Sequence, residues 1–136
     1  MTNYFKKALY LSVLLAMFPA FSGSYEDFFA AIKKDDAATV SSLLKRGFDP
    51  NTRDEKGLHG LHLALQEPSL KVAAILMDWD KTTVESRNAV DESPLMLASL
   101  KGLLPVVLKL IERGADVNKP GWAPLHYAAT KGHLEI

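Results

Sequence analysis

An internal repeat is the feature that most constrains the fold of this chain. Three segments follow one template, and the corresponding residues Gly60, Pro94 and Pro124 lie 34 and 30 residues apart. The segments read GLHGLHLALQEPSLKVAAILM from Gly57, DESPLMLASLKGLLPVVLKLI from Asp91 and GWAPLHYAATKGHLEI from Gly121. A period of this length indicates small structural units that stack side by side, each burying its apolar face against the next.

Each unit carries the start and stop signals of two short helices. Pro94 suits the first turn of a helix, where no amide partner is lost, and Ser93 can cap the free amides. Gly102 favours the left-handed conformation that ends a helix. Pro68 and Pro105 are then expected to open the second helix. We therefore predict helices over residues 25–34, 39–46, 60–66, 70–78, 94–101, 105–113 and 124–131.

Apolar and small residues recur at matching positions of these helices. On the second helices they form a stripe at helical spacing: Val72, Ala73, Leu76 and Met77 in one unit, then Val106, Val107, Leu110 and Ile111 in the next. On the first helices small residues are expected to let neighbouring units approach closely: Ala64, Ala98, Ala128 and Ala129. The stripes predict a core that runs continuously from unit to unit.

The template resembles the ankyrin repeat, which has a period of about 33 residues and the signature T-P-L-H-x-A before two short helices. The last unit reads P-L-H-Y-A-A from Pro124, and the third ends in R-G-A-D-V-N from Arg113, similar to the family's G-A-D-V-N turn. The resemblance implies an all-α ankyrin-repeat solenoid of helix-turn-helix units with projecting finger loops. Its repeats would cover about 25–56, a degenerate N-terminal cap, then 57–90, 91–120 and an incomplete 121–136.

The second repeat departs from the family pattern. His59 and Gly60 replace the expected Thr and Pro, which predicts a weaker cap and more backbone freedom where its first helix begins. Its closing turn, D-W-D-K-T-T-V-E from Asp78, contains no glycine, which leaves the geometry of the finger at residues 86–92 open. We expect Trp79 to plug this turn. The finger before the fourth repeat is about three residues shorter than the finger of the family pattern, which predicts a blunt tip.

Four histidines raise the question of a metal site. His59 and His62 stand at i, i+3 and could share a helix face, but a metal would need a third ligand. The nearby candidates are unconvincing: Asp54, Glu55 and Glu67. The family resemblance implies that His62 and His126 stand at the histidine of the signature, where the imidazole forms hydrogen bonds with neighbouring backbone groups. His133 matches the family's G-H before the second helix. No metal or cofactor is expected.

Motifs and composition point away from catalysis and from polyanions. The chain contains no G-x-S-x-G, P-loop or G-x-G-x-x-G motif. It has no cysteine, which excludes disulfides, thiolate nucleophiles and Cys-ligated zinc. Its 16 basic and 16 acidic residues balance, whereas nucleic-acid binders usually carry a basic face. We therefore expect no enzyme, no nucleic-acid partner and no small-molecule substrate.

Residues 1–22 have the three-part layout of an export signal. Lys6 and Lys7 precede the apolar run A-L-Y-L-S-V-L-L-A-M-F of 11 residues, shorter than the roughly 20 of a membrane-spanning helix. Ala20 and Ser22 offer small side chains to a signal peptidase, so that cleavage is expected after Ser22, or alternatively after Ser24. An uncleaved anchor or a buried N-terminal helix is the other interpretation. The signal predicts a periplasmic or secreted domain at 23–136, in contact with the membrane only before cleavage.

A protein partner is the expected ligand, because finger tips and the exposed side of the first helices line the concave face in the family. The matching finger residues are Arg53, Glu55, Lys56, Arg87, Val90, Glu92 and Trp122. The matching helix residues are Gln66, Glu67, Leu100, Lys101, Thr130 and Lys131. Mixed charge with a tryptophan is typical of protein interfaces, although ordinary solvated fingers would carry similar residues.

Two functions fit these expectations. The first is an exported adaptor or stabiliser of a partner protein, and the alternative is a secreted effector or toxin-neutralising protein that acts on a foreign partner. The final repeat stops inside its second helix. We expect either a fragment of a longer array or an exposed apolar edge with Leu125, Ala128 and Leu134.

Overall fold

The computed structural model describes residues 23–136, which form seven helices. Helix α1 covers 23–33, followed by α2 (Ala37–Lys45), α3 (Gly60–Gln66), α4 (Leu70–Asp78), α5 (Pro94–Leu100), α6 (Leu104–Glu112) and α7 (Pro124–Thr130). The all-α prediction is confirmed, and from the C-terminal end of α1 onward each predicted helix end lies within two residues of the observed one. The predicted export signal at 1–22 lies outside the described residues.

The helices form two layers of a stacked array. The first helices of successive repeats, α3, α5 and α7, pack in one row, and the second helices, α2, α4 and α6, pack in another. Within a repeat, α3 packs on α4 and α5 on α6. In the part of the chain that the structure describes, no helix is both long and apolar enough to cross a membrane.

The predicted apolar stripes and small residues form the core, with one exception in each set. Met77 of α4 is 4% exposed, but its counterpart Ile111 of α6 is 44% exposed. The prediction that Ile111 is buried is therefore wrong. Ile111 is exposed because α6 packs beside α4 and no described helix packs on the outer side of α6. Ala128 is buried as expected of a close-packing position, whereas Ala129 beside it is exposed.

The starts of the helices correct three expectations. Nδ1 of His59 accepts a hydrogen bond from the Leu61 amide at 3.2 Å, so the imidazole itself caps α3. A Cβ at Gly60 would lie 3.0 Å from the Phe28 ring, so glycine makes room there for α1. Pro68 does not open α4, because that helix begins two residues later. The Ser93 cap is confirmed, since its hydroxyl accepts from the Met96 amide at 3.2 Å.

The irregular turn after α4 is filled by an arginine from the next repeat. Nη1 of Arg113 donates to the carbonyls of Met77 and Trp79, the latter at 3.4 Å. Its Nη2 donates to the carbonyls of Asp80 at 3.4 Å and Thr82 at 3.1 Å. Trp79 is partly buried against the core. The group inside the turn is therefore a guanidinium and not the expected tryptophan, because the last carbonyls of a helix have no partners within it and need donors.

Candidate functional site

The first finger, residues 49–59, is built around one aspartate. Oδ1 of Asp54 accepts from the amides of Lys56 at 2.9 Å and Leu58 at 2.8 Å. The Asp54 amide donates to the Leu58 carbonyl at 3.0 Å, which closes the loop. These bonds hold the tip and leave the side chains of Arg53, Glu55 and Lys56 exposed, as predicted for a binding loop.

The second finger, residues 83–92, repeats this turn, which resolves the geometry that the sequence left open. Asn88 stands 34 residues after Asp54, and its Oδ1 accepts from the amides of Val90 at 3.1 Å and Glu92 at 2.8 Å. Val90 is 71% exposed at the tip. Arg87 and Glu92 are half-buried, in contrast to Val90. Arg87 pairs with Glu85 at 3.2 Å, and Glu92 Oε2 accepts from the side-chain amide of Asn88 at 2.9 Å.

The third finger, residues 116–122, is short and ends in an aromatic cluster. Trp122 is 58% exposed, and its ring centroid lies 5.9 Å from that of His126 and 5.7 Å from that of Tyr127. Nζ of Lys119 donates to the carbonyl of Asp91 at 3.0 Å and also pairs with the Asp91 carboxylate. The blunt tip therefore presents a flat ring, fixed next to the second finger.

Hydrogen bonds between neighbouring fingers hold them in one row. Nη1 of Arg53 donates to the Gly57 carbonyl of its own finger at 2.8 Å and to the Arg87 carbonyl of the second finger at 3.3 Å. Nδ2 of Asn51 donates to the Lys81 carbonyl at 2.7 Å. The finger tips are thus positioned before any partner arrives, which reduces the entropy lost on binding.

The predicted site residues fall into two bands. The fingers lead into the first turns of α3, α5 and α7, whereas the predicted helix residues lie at the opposite ends of those helices: Gln66, Glu67, Leu100, Lys101, Thr130 and Lys131. A seven-residue helix is about 10 Å long, so this distance separates the bands. Lys101 links two repeats, since its Nζ donates to the Gln66 carbonyl at 3.0 Å.

The ring nitrogens of His59 and His62 form hydrogen bonds within the protein. Nε2 of His59 bonds Oδ1 of Asn51 at 3.0 Å, and Nδ1 caps α3. Nε2 of His62 bonds the Glu92 carbonyl at 2.8 Å, and Nδ1 lies 3.2 Å from the Ser86 hydroxyl. All four ring nitrogens thus have protein partners, and among residues 23–136 no group of three or more metal-ligating side chains is found.

Burial lowers the pKa of both histidines. That of His59 falls to about 4, mainly by desolvation and then by the nearby His62 and Arg53. The pKa of His62 is also lowered, again mainly by desolvation. The contact between His62 and Ser86 does not present a nucleophile, because His62 is fully buried and Ser86 is 7% exposed. The perturbed groups serve the packing of repeats.

Two residues that link repeats were not among the predicted site residues. Oδ1 of Asn51 accepts from the Thr83 amide at 2.7 Å as well as bonding His59. Arg113 fills the turn below the second finger. The asparagine of the family-like turn was a usable signal for Asn51. Arg113 and Arg46 occupy equivalent places in the sequence, but only Arg113 has the turn of a preceding described repeat to bond.

Comparison with known protein families places the repeats in one family. A family model of ankyrin repeats in three copies matches residues 28–120 and 85–136. The chain is 35% identical to rat (Rattus norvegicus) ankyrin repeat and SAM domain-containing protein 6 over 64% of this chain and 10% of that protein. It is 33% identical to mouse (Mus musculus) NF-kappa-B inhibitor alpha over 65% of this chain and 30% of that protein.

A third relative, the zebrafish (Danio rerio) putative palmitoyltransferase ZDHHC13, is 33% identical over 77% of this chain and 17% of that protein. The chain thus spans 10% to 30% of the length of these relatives. What matches is the repeat region, and it covers the described helices almost completely. The chain belongs to the ankyrin-repeat family.

Proposed function

We propose that this chain binds a partner protein through its row of fingers and the adjoining ends of the first helices, and that it performs no catalysis. The observation that carries the proposal is the fixed row of exposed tips, in which Val90 and Trp122 stand out as apolar projections. Rigid loops that carry an exposed tryptophan among mixed charges are typical of protein interfaces.

The family supports the same proposal. Ankyrin repeats imply protein–protein interaction, and the name of one relative, NF-kappa-B inhibitor alpha, describes a protein that acts on another protein. In the described residues, the buried histidines use their ring nitrogens for packing contacts and leave none for a reaction.

A pull-down with three versions of the chain tests this function. The native chain is compared with the double variant Val90→Glu/Trp122→Ala and with Leu108→Glu, which changes an equally exposed residue on α6 in the other layer. The finger variant is expected to lose the captured partner, because removal of an interface anchor costs more than about 1 kcal/mol, while Leu108→Glu retains it. Equal capture by all three versions would contradict the finger surface.

We also propose that residues 1–22 export the chain, which then acts as a periplasmic or secreted adaptor. The support is the sequence pattern of two lysines, a short apolar run and small residues before Gly23. N-terminal sequencing of the exported protein is expected to begin at Gly23, and an intact Met1 on exported material would refute a cleaved signal. Fractionation distinguishes the adaptor from a released effector, since only the effector would accumulate in the medium or in host cells.

A further inference from the structure

A groove of about 360 Å³ opens between α1 and the first finger. One wall is α1, with the half-buried Tyr25 and with Phe29, which is 7% exposed. The other wall is the finger tip with Asp54 and Glu55, and Leu63 of α3, also 7% exposed, contributes to the lining. We call it the N-terminal groove. Its volume lies in the range of sites that enclose a side chain or small ligand, and its α1 wall lies outside the predicted site residues.

Aromatic rings make the α1 wall apolar and rigid. The centroids of Tyr25 and Phe29 lie 5.0 Å apart in an edge-to-face arrangement. The Tyr25 hydroxyl donates to the Arg53 carbonyl at 3.2 Å, which ties α1 to the first finger. The groove is therefore held open between two elements that are bonded to each other.

One end of the groove is acidic. The pKa of the Tyr25 hydroxyl is raised, first by desolvation and then by the nearby carboxylates of Asp54 and Glu55. Glu26 adds a third carboxylate to the lining. The ion pairs found among residues 23–136 involve other carboxylates, so none of these three is held in a direct ion pair there.

Three cations lie in this neighbourhood, and two of them, Lys33 and Lys56, line the groove. The guanidinium of Arg53 bonds the carbonyls of Gly57 in its own finger and Arg87 in the second finger. Lys33 also lines the groove, but it stands seven residues after Glu26 on α1, which is about 10 Å along the helix axis. Lys56 lines the groove from the exposed finger tip, and no ion pair found among residues 23–136 joins it to a carboxylate of the lining. The lining thus carries three carboxylates and two ammonium groups, a net negative charge of one, beside the Tyr25 ring.

We propose that the N-terminal groove binds an arginine or lysine side chain of the partner protein, with its aliphatic stem against Tyr25, Phe29 and Leu63 and its cation at Asp54 and Glu55. This inference rests on the proposed protein-binding function and adds the chemistry of the partner. Basic side chains have the required form, because an apolar stem carries a cation that stacks on aromatic rings and pairs with carboxylates.

Selection of random displayed peptides on the full 136-residue chain tests the inference. Enriched peptides are expected to place Arg or Lys next to an apolar residue. One such peptide is then synthesised, and its affinity is measured by fluorescence anisotropy for the native chain, the groove variant Glu55→Gln and the control Glu112→Gln, which each remove one negative charge. Glu112 is an exposed carboxylate on α6, in the other layer.

The groove variant is expected to bind roughly tenfold more weakly, while the control binds like the native chain. A peptide with neutral citrulline in place of arginine is expected to lose affinity to a similar extent. Enriched peptides without basic residues, or equal affinity for the groove variant, would overturn the basic-residue inference and leave the protein-binding function standing. If no peptide is enriched on the native chain, the proposed binding function fails as well.

Discussion

His59 illustrates how a single buried side chain joins three parts of the array. Its Nδ1 caps α3, its Nε2 bonds Asn51 of the first finger, and its ring lies 6.4 Å from that of His62. These contacts require a neutral imidazole, because Nδ1 accepts a hydrogen bond from a backbone amide. Protonation therefore removes the cap and places a charge in the core.

Stability is expected to fall as pH decreases from about 6.5 to about 4. The unfolded chain binds a proton on His59 near pH 6.5, while the folded chain resists protonation until about pH 4. In this window the free energy of unfolding should drop by about 3 kcal/mol. Urea unfolding at several pH values measures how steeply the free energy of unfolding depends on pH. The variant His59→Thr should reduce this dependence to the contribution of His62. A flat profile in the native chain would contradict this account.

Arg113 contributes to stability by occupying the turn after α4. Its guanidinium serves four carbonyls of the preceding repeat, and Arg113→Met removes these donors while keeping much of the stem. We expect a loss of about 2 to 3 kcal/mol, since buried carbonyls are left without partners. Arg46→Met is the matched control, because Arg46 takes the equivalent place after α2 and is exposed. Comparable urea midpoints for the two variants would refute the role of Arg113.

At the scale of the helix, the first helices of the repeats begin with different caps. Ser93 caps α5 through its hydroxyl, and His59 caps α3 through its ring. Ala123 precedes α7 in a backbone conformation close to that of Ser93, with φ and ψ of −88° and 166° against −90° and 164°. It offers no side-chain acceptor, so the His126 amide donates only to the Ala123 backbone carbonyl, at 2.9 Å, whereas the equivalent Met96 amide of α5 donates to the Ser93 hydroxyl.

Ala123→Ser is therefore expected to stabilise α7 by about 1 kcal/mol, the usual effect of an N-cap hydroxyl. Slower hydrogen exchange of the α7 amides would report the gain. Ser93→Ala is the reciprocal control and should destabilise α5 by a similar amount. If exchange in α7 is unchanged by the serine, the cap geometry of Ala123 differs in solution from that of Ser93.

At the scale of the whole molecule, burial decreases toward the C-terminal end of the described array. Six of the seven residues of α5 are buried, whereas α7 buries only Pro124 and Ala128. Leu125 and Leu134 are 68% and 95% exposed, as expected of an uncovered apolar edge. Ala128 does not belong to that edge, because α7 presents it to α5.

Hydrogen exchange should follow this gradient. The amides of Pro94–Leu100 are expected to exchange much more slowly than those of Pro124–Thr130, because α5 packs between α3 and α7, whereas α7 packs mainly on α5 among the described helices. Mass spectrometry of the exchanging chain measures both segments in one experiment. Equal protection of α5 and α7 would show that the half repeat is stable without a further neighbour.

The sequence alone determined the repeat, the helix pairs and most of the core, because proline, glycine and apolar spacing act locally and recur at a fixed period. The Ser93 cap and the burial of Met77 followed from such patterns. The position of the finger residues near one edge also followed from the repeat, although no pattern separated the finger band from the band at the helix ends.

Only the tertiary structure decided which groups meet between repeats. Gly60 is small because Phe28 of another helix lies against it, and Ile111 is exposed because no described helix covers it. Arg113 and Arg46 look alike in sequence, yet only Arg113 follows a described repeat whose closing turn it can bond. The N-terminal groove likewise combines α1, the first finger and α3. Contacts of this kind depend on the distance between chain segments after stacking, and local sequence patterns carry no information about that distance.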